Sequence, residues 1–456
     1  MNGSLPTLFP FLVMKVFERL IKEKLLHLTS DLIDHRQHGF LEHKSCTTNM
    51  VGFCDSLAIS LNDNIVSHVV YFDFAKAFDS VNHDILLQKL KDHYKIDGTL
   101  LKFLCNYLNN RYQKVVLGSE SSSTLKVHSG VLQGSILGPI LFVLFINDLP
   151  LGLSNGTDIA LYADDAKIWR KINSISDCIS LQSDVDNKMR FNPSKCKVLT
   201  VSSRSVNFSA FSFIYHLNNS PLNFVDCETD LGVDITPRLS WNSQCNRIYS
   251  KACQQLGIVR RNGHIVTLPK CRRALYLSLV RSQFENCSII WRPTTSSLTS
   301  KLESLQKRAL KWILSEEGHS YSAEMYIRKC KSIDILPLSQ KFDLNDLVFF
   351  HKIINYLVPL TLPSYLSFYD GTSRLRNCHL DSLSLVSSLV PRSSQSSNSP
   401  LFKSFFYRAH LLWNGLPFKL REIQSPSLFK SELIKHLWTS LMDKECDAFS
   451  ESDEFD

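Results

Sequence analysis

A chain of 456 residues, 44% hydrophobic and 21% charged, can fill one large core or two to three domains, and its composition excludes a disordered or collagen-like protein. The formal charge of +8 hides an asymmetry: residues 443–456 carry seven acids and one lysine, so the preceding chain has 50 basic against 36 acidic residues, or +14. A basic body suits a polyanionic partner, because lysine and arginine facing phosphates release counterions, while the acidic tail reads as a solvated end.

Val13–Leu28 has apolar residues at helical spacing (Val16, Leu20, Leu25) and predicts an amphipathic helix. Val69–Phe72 reads as a buried strand ending at Asp73. Asp84–Tyr94 follows as a helix with Ile85, Leu86 and Leu90 on one face. Tyr112–Leu117 and Leu125–Val127 read as strands around the serine-rich turn Ser119–Ser123. A helix is expected from about Pro139 to Asp148, with Pro139 in its first turn and Pro150 as its stop. The apolar run Ile136–Ile146 is too short for a bilayer and reads as a buried core helix. Ile159–Trp169 has apolar residues on both sides of Asp164–Asp165, as in a hairpin. Lys197–Val201 and Thr229–Ile235 are further strands. From about residue 242 the pattern turns to basic amphipathic helices at Gln244–Arg261, Pro269–Phe284 and Lys301–Leu314. Ser382–Ser399, with nine serines in 18 residues, predicts a mobile loop.

Thirteen cysteines are scattered, with no CxxC pair and no Cys/His cluster at zinc spacing. Cys46, Cys105, Cys196 and Cys253 therefore read as reduced thiols, and an intracellular home, nucleus or cytoplasm, is expected. The apolar opening Leu5–Val13 lacks a basic leader and a small-residue cleavage site, so neither secretion nor membrane association is expected.

Three segments carry the chemistry: VVYFDFAKAFDSVNH (Val69–His83), SGVLQGSILGP (Ser129–Pro139) and LYADDAKIW (Leu161–Trp169). The first places Asp73 at the end of a strand, and the third places two acids at the tip of a hairpin. Adjacent acids on a regular strand point to opposite faces, so either the turn reorients them or only one of them faces Asp73. Three neighbouring carboxylates repel unless cations accompany them. Magnesium, which favours a few carboxylates plus substrate phosphates, resolves that conflict and suits in-line phosphoryl transfer with paired metals. Taken singly, Asp73 reads as a cap or turn residue, and Asp164–Asp165 reads equally as a solvated turn or a metal site. Together with the glycine–glutamine loop they read as a site.

These segments resemble motifs A, B and C of reverse transcriptases, specifically of non-LTR (LINE-type, jockey-like) retrotransposons. YADD matches the YxDD box and QGSILGP the QGxxLGP form, while FDFAKAFDSVNH is nearly diagnostic of the group. FNPSKCKVL (Phe191–Leu199) is similar to motif D, DLGVDI (Asp230–Ile235) to motif E, and SFFYRAHLLWNGLP (Ser404–Pro417) to the usual C-terminal end. The resemblance implies an α+β right-hand polymerase with truncated fingers, a palm with an antiparallel sheet, a helical thumb and a mostly helical C-terminal region. Its divisions would be 1–238 for fingers remnant and palm, 239–329 for the thumb-like region, and 330–456 for the remainder with its serine-rich loop and acidic tail.

The implied activity is RNA-directed DNA polymerisation with an RNA template, a DNA primer and dNTPs, using two magnesium ions that manganese can replace. Asp73 and Asp164 would bridge the ions, with Asp165 beside them and Phe74 offering backbone. Phe78 would be the steric gate against a 2′-hydroxyl; without the motif it reads as a core aromatic. Gln133 and Gly134 would contact nucleotide and template. Lys195, with Lys197 second, would protonate pyrophosphate; the plainer reading is a strand-edge lysine. Arg260, Arg261, Lys270, Arg272 and Arg273 would meet nucleic-acid phosphates.

Three departures from the family pattern stand out. The tyrosine–arginine–proline–isoleucine run that usually precedes the helix matched by Lys15–Ile21 is absent. Leu41 follows Gly39–Phe40 where the family has arginine, leaving Lys44 as the nearest cation for the triphosphate. The stretch Leu181–Phe191 is short, which would shift Lys195. With neither an endonuclease nor a zinc knuckle, the sequence predicts an N-terminally truncated relic, its alternative role being a catalytically impaired binder of nucleic acid.

Overall fold

Seven residues, Val66–Phe72, build strand β1, and all but the first are buried, the pattern of a strand covered on both faces. The computed structural model describes residues 8–74, 76–109, 111–186, 191–203, 213–316, 321–370, 381–389 and 399–450. Strands β2 (Thr157–Tyr162), β3 (Asp165–Ile172), β4 (Lys197–Val201) and β5 (Asn223–Val225) complete a sheet of order β5-β4-β1-β3-β2. β1 runs antiparallel to β3, with Phe72 opposite Ala166, and β2 runs antiparallel to β3, with Tyr162 opposite Asp165. β5 lies parallel to β4, so the expected antiparallel sheet has one parallel edge.

This sheet belongs to the first of two compact units, residues Met1–Asn49, Val66–Thr200 and Ser205–Val225. Its helices are α1 (Leu8–Thr29), the start of α2 (Cys46–Asn62), α3 (His83–Asp92), α4 (Gly98–Leu108), α5 (Leu137–Ile146) and α6 (Ile175–Asp186). α5 is apolar all round and buries every residue except Pro139, as such a helix must. Its side chains share one core with Val70 and Phe72 of β1, Leu86 and Leu90 of α3, and Leu104 and Leu108 of α4. Each such aliphatic chain contributes about 1.5–3 kcal/mol by leaving water.

Several expectations change. In α1 Leu25 is buried as expected, but Val16 and Leu20 are exposed while Glu18 and Thr29 turn inward. Glu18 is inside because its carboxylate accepts from Tyr107 Oη at 2.9 Å and from the Ile136 amide, at the start of α5, at 2.7 Å. Ile85 is likewise exposed. Tyr112–Leu117 splits into the two-residue strands Tyr112–Gln113 and Val116–Leu117, both exposed. Within the serine-rich stretch, Leu385–Ser387 is a strand paired with Leu366–Phe368, and residues 390–398 lie outside the described residues.

The second unit, residues Met50–Ile65, Val201–Arg204 and Asp226–Asp456, holds 239–329 and 330–456 together. Its main helices are α7 (Asn242–Asn262), α8 (Ser296–Leu314), α9 (Leu338–Ile354), α10 (Phe405–Asn414) and α11 (Pro426–Ser450). The predicted helix Pro269–Phe284 is α-helical to Leu275, π-wound over Tyr276–Arg281, and α-helical again from Ser282. Asp346 of α9, 1% exposed, pairs with Arg292 at 2.8 Å and with Arg408 of α10 at 2.7 Å. Arg408 also donates to the carbonyls of Ile289 and Lys403, which gives the C-terminal motif a structural centre. Every cysteine whose side chain is described is free, and among the described residues no helix is long and apolar enough to cross a membrane.

Candidate active site

β1 ends opposite β3 at the pair Phe72–Ala166, so the next residues along the ladder, Asp73 and Asp165, stand at the same level. β2 and β3 are closed by a two-residue loop, Ala163–Asp164, between the paired Tyr162 and Asp165. Asp164 therefore sits in the turn and Asp165 begins strand β3. Ala163 makes the turn possible with φ of 55°. Asp73 and Asp164 are partly buried, and Asp165 is exposed. Among the described residues, no three acids, histidines or cysteines are gathered closely enough to form a ready-made metal cluster.

A cation already attends Asp73. Lys195 Nζ lies 3.2 Å from one carboxylate oxygen and 3.3 Å from the other. The loop holding Lys195 is tied to the end of β1: the Asn192 amide donates to Asp73 O at 3.2 Å, and Phe74 bridges Phe191. Phe191 stacks on Phe72 with centroids 4.4 Å apart and also packs on Phe74 at 4.4 Å. The Phe74 ring is thus in the core and only its backbone is on offer. Lys197 is the first residue of β4.

The glycine–glutamine loop is fastened to the turn that follows Asp73. Val131 N donates to Phe78 O and Gly130 N to Val81 O, each at 2.8 Å, and Ser129 Oγ donates to Asp79 O at 2.9 Å. Gly130, with φ of 92°, has no room for a side chain, because a Cβ would stand 2.9 Å from Asp79 Cα. Gln133 Nε2 donates to Asp79 Oδ1 at 3.1 Å, and the carbonyl of Gly134 accepts from Lys15 of α1. Phe78 stacks on Phe142 of α5 with centroids 4.6 Å apart and meets Phe40 edge to face at 6.1 Å. The structure thus brings Asp73, Asp164, Asp165 and Lys195 to one end of the sheet, and joins Phe78, Gln133 and Gly134 through one stitched loop.

Lys44 has a different use from the expected one. Its ammonium donates to the carbonyls of His35 at 2.9 Å and Gln37 at 2.7 Å, and burial lowers its pKa. In this arrangement the ammonium faces backbone carbonyls. Sequence reasoning missed the neighbour whose carbonyl it holds: Gln37 Oε1 accepts from the amides of Ala163 at 3.0 Å and Gly39 at 2.7 Å. A lone neutral amide has no periodic or charge signal, and the nearest clue was the Gly39–Phe40 pair beside it.

Of the expected phosphate contacts, Arg272 and Arg273 are also occupied. Arg272 donates to Val266 O at 2.6 Å and Trp312 O at 2.7 Å, and Arg273 donates to Ile333 O at 2.6 Å and Asp334 O at 2.8 Å. These bonds satisfy helix-end and loop carbonyls. Arg260 and Arg272, with Arg308 and Lys311 of α8, line an open hollow of about 460 Å³ beside Trp312. The α8 cations were missed because they lie in a helix read only for its amphipathicity. Arg261 lies in the last turn of α7 and Lys270 in the exposed first turn of the following helix.

Residues 6–235, half of the chain, match the family described as "Reverse transcriptase (RNA-dependent DNA polymerase)". The chain is 26% identical over 322 residues to "Probable RNA-directed DNA polymerase from transposon BS" of Drosophila melanogaster, an alignment covering 66% of this chain and 35% of that protein. It is 28% identical over 253 residues to "RNA-directed DNA polymerase from mobile element jockey" of the same organism, covering 51% and 27%. It is 29% identical over 164 residues to "Retrovirus-related Pol polyprotein from type-1 retrotransposable element R2" of Popillia japonica, covering 32% and 27%. The chain thus spans about a third or less of the length of these relatives. A solved telomerase from Candida tropicalis in complex with a telomeric RNA fragment aligns with a TM-score of 0.37 and 11% identity, over 71% of this chain and 53% of that one.

Proposed function

The chain belongs to the reverse transcriptase family, and on that premise we propose that it is an RNA-directed DNA polymerase of a non-LTR, jockey-like mobile element. The observation that carries the proposal is the common level of Asp73 and Asp165 beside the turn bearing Asp164. Oxygen donors of this kind suit magnesium, and the Lys195 ammonium on both oxygens of Asp73 supports that carboxylate as a cation holder. Asp73 and Asp164, with Asp165 alongside and the Phe74 backbone, would hold two magnesium ions. Bound there, the ions would supply charge neutralisation for phosphoryl transfer and activation of the primer hydroxyl.

In the proposed reaction the primer 3′-hydroxyl releases its proton to solvent as its oxygen bonds to the α-phosphorus of a dNTP. The bond from that phosphorus to the bridging oxygen breaks, and pyrophosphate leaves. Lys195, once it turns from Asp73, donates the proton to pyrophosphate. Phe78, its ring fixed against Phe142, excludes a ribose 2′-hydroxyl. Gln133 and the exposed backbone at Gly134 face nucleotide and template. Template and primer phosphates would meet Arg260, Arg261 and Lys270, joined by Arg308 and Lys311, while Arg272 and Arg273 keep the helix ends together.

Primer extension on poly(rA)/oligo(dT) with magnesium or manganese, wild type beside Asp164→Asn, tests the proposal. Extension by the wild type alone supports it. A folded, RNA-binding wild type that extends nothing overturns it in favour of a nucleic-acid binder without polymerase activity.

A further inference from the structure

Ala163 holds a left-handed backbone that costs an alanine roughly 1–2 kcal/mol, so the turn carrying Asp164 needs support from outside the hairpin. The support comes from the segment 36–39. Leu161 N donates to Arg36 O at 3.0 Å and His38 N to Leu161 O at 2.8 Å, so this segment lies as a parallel bridge along β2. Asn49 Nδ2 adds a third bond to the same strand, donating to Leu161 O at 3.0 Å.

Gln37 then extends the contact past the end of the strand. It is 1% exposed, and its Oε1 takes the amides of both Ala163 and Gly39. Two donors converging on one atom fix the orientation of the carboxamide, because the reversed amide would set N–H against N–H. In that orientation Nε2 is buried without a partner, a cost of about 1–3 kcal/mol that the double acceptance at Oε1 offsets. The approach is close: a Cβ on Gly39 would lie 2.3 Å from Ala163 N.

We propose that Gln37 is a positioning residue for the Asp164–Asp165 pair, its carboxamide oxygen setting the height at which the turn presents these acids to a divalent cation. The inference rests on the polymerase reading for what the acids do, whereas the clamp itself is independent of the reaction. Gln37 touches no substrate in this scheme and acts through the Ala163 amide.

The test compares the full chain as wild type, Gln37→Met (similar length, no acceptor) and Gln37→Glu (acceptors retained). Amide exchange of the 161–165 segment, Mn2+ titration by electron paramagnetic resonance, and steady-state primer extension are read on each. In folded Gln37→Met, exchange at Ala163 should rise about tenfold, the equivalent of one lost hydrogen bond. Mn2+ should bind several-fold more weakly, and kcat should fall by about 100-fold with little change in the dTTP KM. Gln37→Glu should restore protection at Ala163. Unchanged exchange and Mn2+ affinity in Gln37→Met would overturn the proposal. Should that variant not fold, lost protection in a folded Gln37→Glu overturns it as well. A wild type that extends no primer withdraws the polymerase reading, and the exchange and Mn2+ measurements still decide the clamp.

Discussion

The ammonium of Lys195 straddles the carboxylate of Asp73, 3.2 Å from one oxygen and 3.3 Å from the other, although both side chains are about half exposed. An ion pair this open contributes little to stability, of order 0–1 kcal/mol. Its consequence is competition, since a metal ion and the lysine want the same oxygens. Lys195→Ala should therefore bind Mn2+ several-fold more tightly while extending primers about 100-fold more slowly for want of a proton donor. Tighter binding with an unchanged rate would remove Lys195 from the chemistry and leave it a counter-ion.

Phe78 has a wall behind it and a wall beside it, Phe142 and Phe40, so its ring cannot swing away from an incoming sugar. Phe78→Val should lower the preference for dTTP over UTP, measured as the ratio of kcat/KM values, by about 100-fold or more. The same change should cost roughly 1–3 kcal/mol of stability, since a half-buried ring is trimmed. A ratio equal to that of the wild type would show that the ring is only a packing residue.

Burial gives two parts of the chain opposite responses to pH. Asp55 is pushed up to about 6 by burial, which outweighs the bonds it accepts from Tyr365 and Ser404. Its folded form holds a proton that the unfolded chain has released, so stability declines as pH rises from about 4 to 6. His38 is held down at about 3 and His68 at about 4, both by burial first. There the unfolded chain takes up protons that the folded one refuses, so stability declines as pH falls below about 6.5. Asp55→Asn should raise stability at pH 8 by about 1–3 kcal/mol and leave it unchanged at pH 4. Urea titrations at the two pH values check this, and equal gains at both would refute it.

Asp346 is almost wholly buried between Arg292 and Arg408. Arg408→Ala leaves that carboxylate with one partner and frees the carbonyls of Ile289 and Lys403, which should cost about 3–5 kcal/mol. Replacing Asp346 and Arg408 together by apolar residues should cost much less than the single change. Chemical denaturation of the full chain distinguishes the two.

The arginines of the second unit should separate into two classes. Arg260→Ala and Arg308→Ala, on the hollow beside Trp312, should each lower the slope of RNA affinity against salt by about 1; only the second should also cost some stability, since Arg308 bonds to Tyr249 of α7 at 3.0 Å. Arg272→Ala and Arg273→Ala should instead lower the melting temperature and leave the slope alone, because their donors serve backbone carbonyls. A uniform effect of all four on the slope would return the carbonyl-bound pair to the phosphate contacts.

Much of the palm was legible because its signals are local. Val69–Phe72 is apolar, Asp164–Asp165 interrupts a hairpin pattern, and Ile136–Ile146 is apolar on every side; each became the expected element. What resisted reading was decided by tertiary partners. Val16 and Leu20 look like core residues, yet Glu18 takes the inner face because Tyr107 and Ile136 supply donors there. Lys44, Arg272 and Arg273 look like phosphate ligands, yet backbone carbonyls reach them. Charge says that a cation seeks an acceptor, and only the fold says which acceptor it finds.

The 2.3 Å gap between Ala163 N and the place where a Cβ on Gly39 would stand bears on how a mobile-element sequence decays. A single methyl at position 39 would displace the turn while leaving all three acids in the text. Under the polymerase reading, such a change would disturb the site with its three aspartates still in place. The supports at Gly39 and Gln37 thus matter to this turn as much as the aspartates it carries.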